Sequence, residues 1–138
     1  MRKMQWDCAK AGCFNEAHRL DFSHFKPALP GRMSFTDVDA VVEINGYFLF
    51  LEMKSHQNEL PTGQRIFFER LTKTSDKIVV VFLCGEARDM RVAFMRHVYN
   101  GMYSDWKPCD LNGVNQFIEQ FCQWAKNNGH DTENLGSP

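Results

Sequence analysis

The succession of hydrophobic periods along the chain predicts a small mixed α/β domain: a β-sheet built on a central hairpin, with helices covering it. Three observations carry this. An alternating segment enters an Asn45-Gly46 dipeptide and a second apolar segment leaves it; residues 78–84 form a continuous apolar run; and residues 111–127 carry a helical stripe. A length of 138 residues suits one domain. Apolar residues make up 43%, with twelve Phe and three Trp, which supplies a core and excludes intrinsic disorder for most of the chain.

The elements follow in order. Residues 1–33 are polar and irregular, an N-terminal segment expected to belong to the same domain, with a short helix expected around Phe14–Leu20. Pro27, Pro30 and Gly31 then break the chain before a core expected over residues 34–127. From Thr36 to Ile44, Val38, Ala40, Val42 and Ile44 alternate with Asp37, Asp39, Val41 and Glu43, the period-two signature of a strand. Asn45-Gly46 is the strongest two-residue hairpin signal, since a type I′ turn needs φ > 0 at both central positions. Tyr47–Lys54 is the return strand. Pro61 opens a helix to about Thr72, with Gln64, Phe68 and Leu71 on one face. Lys77–Cys84 reads as a strand buried on both faces. Arg91–Tyr99 is a further strand, and Leu111–Asn127 a helix whose stripe is Val114, Phe117, Ile118, Phe121 and Ala125. Residues 128–138 are Gly, Ser, Pro and polar, expected to fray.

Several function classes are disfavoured. The longest apolar run, Ile78–Cys84, has seven residues against the roughly 20 of a membrane span. No apolar stretch follows the initial Met-Arg-Lys, so no secretory signal is visible and a cytoplasmic location is expected, in a bacterium or a phage-infected cell. Five cysteines in a reducing compartment do not make a disulfide framework, and Cys84 and Cys122 read as small core residues. The net charge is −1, yet it is unevenly spread: residues 1–32 carry +3, 33–60 carry −4, 61–108 carry +3 and 109–138 carry −3. An acidic segment between two basic ones leaves a nucleic-acid partner open despite overall neutrality.

The hairpin concentrates the chemistry. A two-residue turn at Asn45-Gly46 sets Asp39 opposite Glu52 and Asp37 opposite Lys54, all four on one face. Carboxylates directly opposite one another repel unless a cation lies between them, and paired carboxylate oxygens suit Mg²⁺ or Mn²⁺. Glu52 is a charge within an otherwise apolar strand, where a solvated side chain is out of place. A lone Glu-x-Lys has little weight; the pairing with Asp39 and the downstream Gln64 give it meaning.

Phe35-Thr36-Asp37-Val38-Asp39, the hairpin, Leu51-Glu52-Met53-Lys54 and Gly63-Gln64 together resemble the PD-(D/E)xK nuclease superfamily, small phage and prophage nucleases especially. The resemblance covers about residues 34–71. It implies a restriction-endonuclease-like fold and hydrolysis of DNA phosphodiester bonds with Mg²⁺ or Mn²⁺. Asp39, Glu52 and the Met53 carbonyl would ligate the ion, Lys54 would assist the attacking water, and Gln64 would hydrogen-bond into the site. The proline that names the motif is absent; Val38 precedes Asp39. An upstream acid supplied by many members has Glu16 as its candidate here, and Asp37 is a further acid that also reads as the polar start of the strand. The partner implied is nucleic acid, DNA before RNA, with no membrane. A domain this small has little room for its own target-recognition element, which makes a homodimer plausible.

Two other readings stand beside this one. A member of the same fold without activity would bind nucleic acid or a protein and cleave nothing. Cys8, Cys13, His18 and His24 form a Cys-x₄-Cys-x₄-His-x₅-His cluster whose residue types suit structural Zn²⁺ in an interaction module. Its spacing is not that of a standard finger, so free thiols and surface histidines are preferred. For Trp6, Trp106 and Trp124, packing is preferred to base stacking.

Overall fold

The computed structural model describes residues 22–128 apart from residue 34. The chain divides into two compact units, residues 1–36 and 37–138. In the first, a 3₁₀ helix spans Phe22–Ala28 and contains Pro27, and Phe25 meets Phe35 edge-on at 5.9 Å. The prolines were expected to precede regular structure; Pro27 instead sits within it, because its fixed φ near −65° suits a 3₁₀ turn. The expected helix at Phe14–Leu20, and the tail beyond Asn128, lie outside the described residues.

The second unit is a mixed α/β fold. Its strands are β1 (Ala40–Ile44), β2 (Tyr47–Lys54), β3 (Ile78–Glu86), β4 (Arg91–Tyr99), β5 (Met102–Tyr103) and β6 (Lys107–Pro108), with helices α1 (Thr62–Lys73) and α2 (Leu111–Asn128). Among the described residues these strands form one sheet, ordered β1-β2-β3-β4-β5 with β6 also on β4. Only β2 and β3 run parallel, joined by the crossover that contains α1.

The hairpin forms as its turn dictates. Asn45 and Gly46 have φ of 53° and 85°, and Ala40↔Leu51 through Ile44↔Tyr47 pair in the expected register. The first strand starts at Ala40 rather than Thr36, for a reason that lies in Asp39. β3 is buried on both faces, as its unbroken apolar run requires. Asn100-Gly101, with φ of 51° and 79°, is a second turn of the same kind. It adds β5, which the sequence reading passed over.

Strand alternation sorts the core into two layers. On one face, α1 lays Phe68 against Val80, Phe82 and Val98, all at most 1% exposed. On the other, Phe121 and Ala125 of α2 pack on Tyr47, Leu49, Val79 and Val81. Each of the Val, Leu and Phe side chains among these contributes roughly 1.5–3 kcal/mol by burial. Trp124 joins this layer edge-on to Tyr47 at 4.8 Å, and Cys84 is buried while Cys122 packs against the cluster, so all three are core residues as expected. Asp110 caps α2 by accepting the Gly113 N–H at 2.9 Å. Among the described residues no helix is long and apolar enough to cross a membrane.

Candidate metal centre

The site lies where β2 ends on the α1 face of the sheet. Extending the ladder beyond Ala40 would set Val38 opposite Met53, with the Met53 N–H donating to the Val38 carbonyl. That N–H donates instead to Asp39 Oδ2 at 2.7 Å. A short carboxylate side chain thus outcompetes the backbone, and the strand stops one residue after it. The Asp39 N–H in turn donates to Glu52 Oε1 at 3.1 Å. Asp39 is thereby tied to Glu52 through its own N–H and to the next residue, Met53, through its carboxylate, rather than held by the ladder.

Glu52 is 2% exposed. Both its oxygens accept, Oε1 from Asp39 and Oε2 from Gln64 Nε2 at 3.5 Å, and both donors are neutral. Burial pushes the Glu52 carboxyl above its ordinary range; the Asp39 N–H opposes this, the Asp39 charge adds to it, Lys54 opposes and Asp37 adds least. Lys54 Nζ donates to Gln64 Oε1 at 2.6 Å. Gln64, on the first turn of α1, therefore bridges the ammonium and the buried carboxylate with its two amide atoms. The continuous order is Lys54, Gln64, Glu52, Asp39.

The four residues expected to act together do converge. The Met53 carbonyl faces the same neighbour as its N–H, hence the Asp39 side. Asp37 stays exposed and ahead of β1, so the expected pairing across to Lys54 does not form within the ladder: the ladder ends at Ala40. Glu16, Cys8, Cys13, His18 and Trp6 lie outside the described residues. His24 is exposed in the first unit.

Two carboxylates and a backbone carbonyl are hard oxygen donors of the kind Mg²⁺ and Mn²⁺ take, usually with only one or two carboxylates and several waters. A buried carboxylate whose hydrogen bonds come only from neutral groups fits such an ion, which would supply the missing positive charge. Among the described residues no group of three His, Cys, Asp or Glu side chains gathers.

Sequence reading missed what lies across the sheet. Glu52 pairs with Phe82 and Phe82 with Arg96, so Arg96 shares the row and face of the carboxylate. Its guanidinium lies over the rings of both Tyr103 and Trp106, at 5.0 and 5.2 Å from their centroids. The Asn100-Gly101 signal could have placed Tyr103 on β4; nothing local in the sequence aligns Arg96 with Glu52. Compared with protein-family models, curated proteins and solved structures, the chain matches none.

Proposed function

We propose that the protein is a metal-dependent nuclease of the PD-(D/E)xK type that hydrolyses DNA phosphodiester bonds. The observation that carries this reading is the Lys54–Gln64–Glu52–Asp39 chain, four polar residues from β2, the segment just before β1 and the first turn of α1, gathered at one end of the hairpin. Asp39, Glu52 and the Met53 carbonyl would hold Mg²⁺ or Mn²⁺. When bound, the ion lowers the pKa of a water and offsets charge on the phosphoryl oxygens. The Asp39 N–H on Glu52 and the Met53 N–H on Asp39 would keep the two carboxylates oriented toward that position. Lys54 places an ammonium beside it, directed by the Gln64 oxygen, where negative charge develops as the nucleophile attacks.

The charge distribution supports a polynucleotide substrate. The −4 segment that holds the site lies between two +3 segments, and a divalent cation would cancel about half of the acidic charge. A cytoplasmic location, where such a substrate and reduced thiols occur together, belongs to the same proposal. The second reading, a fold relative that binds nucleic acid without cleaving, draws on the convergence of two carboxylates, rather than three, among the described residues.

Cleavage of plasmid and branched DNA with Mg²⁺ or Mn²⁺ tests the proposal. The wild type should nick or cut at least one substrate, and Lys54→Ala should lose about 10²–10³-fold in rate. Equal rates for both proteins, or no cleavage of any substrate by the wild type, would rule it out.

A further inference from the structure

Beside α1 the molecule has a cavity of about 370 Å³ lined by Gln57, Asn58, Leu60, Arg65, Arg96 and Tyr103. Its position follows from register. Glu52, Phe82 and Arg96 stand in one row on the α1 face, so two strand spacings place the Glu52 and Arg96 backbones roughly 10 Å apart. Consecutive residues of α1 link the two places: Gln64 reaches Glu52, and Arg65 lines the cavity.

Arg96 is fixed rather than free to swing. Its Nε and Nη2 both donate to the Ser104 carbonyl, at 3.0 and 2.8 Å, and the Tyr103 and Trp106 rings hold the guanidinium plane. Nη1 makes no hydrogen bond among the described residues, and no carboxylate there pairs with this half-buried cation. Arg65, 63% exposed, bonds Glu69 through Nε. A preorganised, unneutralised guanidinium beside two side-chain amides is suited to a phosphate oxygen. One unpaired guanidinium matches the single charge of a phosphodiester rather than a free phosphate dianion.

We propose that this cavity holds a backbone phosphate of a nucleic-acid strand, flanking the bond presented to Asp39 and Glu52, with Arg96 as the principal contact and Arg65 as the second cation. The identity of the ligand rests on the nuclease reading; the existence of the anion site does not.

The test is binding of a fluorescein-labelled DNA oligonucleotide, single-stranded and duplex, to the full chain without divalent cations, followed by anisotropy across a salt series. Arg96→Gln should weaken binding about tenfold and lower the slope of log affinity against log salt by about one. Arg65→Gln, on an exposed helix face, should act in the same direction by less and keeps the test intact should Arg96→Gln fail to fold. Replacing single phosphates by neutral methylphosphonates should reveal one position that weakens wild-type binding and is silent in the arginine variants. Unchanged affinity and slope in both variants, absence of DNA binding by the wild type, or equal competition by inorganic phosphate would overturn the inference. Arginine-dependent binding without any metal-dependent cleavage would keep the phosphate site and remove the nuclease reading. Cleavage with KM unchanged in both variants would do the reverse.

Discussion

Glu52 is the residue on which the proposed metal site most depends, because it is a nearly inaccessible carboxylate with only neutral hydrogen-bond donors. With its folded pKa above the ordinary 4.5, the native state holds the proton to higher pH than the unfolded chain. Its contribution to stability is therefore full below about 4.5 and is lost as pH rises through the elevated folded value. In metal-free protein, Glu52→Gln should raise stability at neutral pH and flatten that part of the profile, as measured by urea unfolding. Gln64 orients both Lys54 and Glu52 without being a ligand. Gln64→Ala should reduce kcat about 10–100-fold while changing KM little, by analogy with other residues that orient metal ligands. A steady-state comparison on the cleaved substrate reads this split.

At the level of elements, the β3–β4 pairing shifts register between Cys84 and Gly85. A Cβ on Gly85 would run into the Arg91 carbonyl, which is backbone and cannot step aside. Gly85→Ala should cost about 2–3 kcal/mol in chemical unfolding, the upper range for overpacking. His97 on β4 lies against Phe117 of α2, 6.0 Å between ring centroids, and burial lowers its pKa, with Lys107 adding to the effect. Its neutral form is favoured in the native state, so the stability it provides is present above 6.5 and lost as pH falls toward the depressed folded value. This opposes the Glu52 effect. The Glu52→Gln variant should accordingly lose stability more steeply on acidification than the wild type, a difference that a Tm series between pH 7 and pH 5 reports.

Across the whole molecule, legibility divides at the range of the interaction. The hairpin and its register could be read because Asn45-Gly46 admits one tight turn, and period two then places Asp39 against Glu52. α2 could be read from its stripe. The true start of β1 could not, since it depends on Asp39 capturing the Met53 N–H, a side-chain bond that alternation does not encode. Nor could the Arg96 row be read. Its place is set by a parallel pairing across the α1 crossover and by the irregularity at Cys84/Gly85, both long-range consequences of packing. The resemblance to PD-(D/E)xK nucleases rests on residues 34–71, whereas the cavity beside α1 also takes Arg96 from β4 and Tyr103 from β5.

The central claim is that Asp39 and Glu52 close on a divalent cation, and calorimetric titration of the metal-free protein with Mn²⁺ tests it most directly. One Mn²⁺ should bind per chain, raising Tm as its concentration passes Kd, and Asp39→Asn, whose side-chain oxygen can still accept the Met53 N–H, should lose that binding. No Mn²⁺ uptake by the wild type, or equal uptake by Asp39→Asn, would contradict the account.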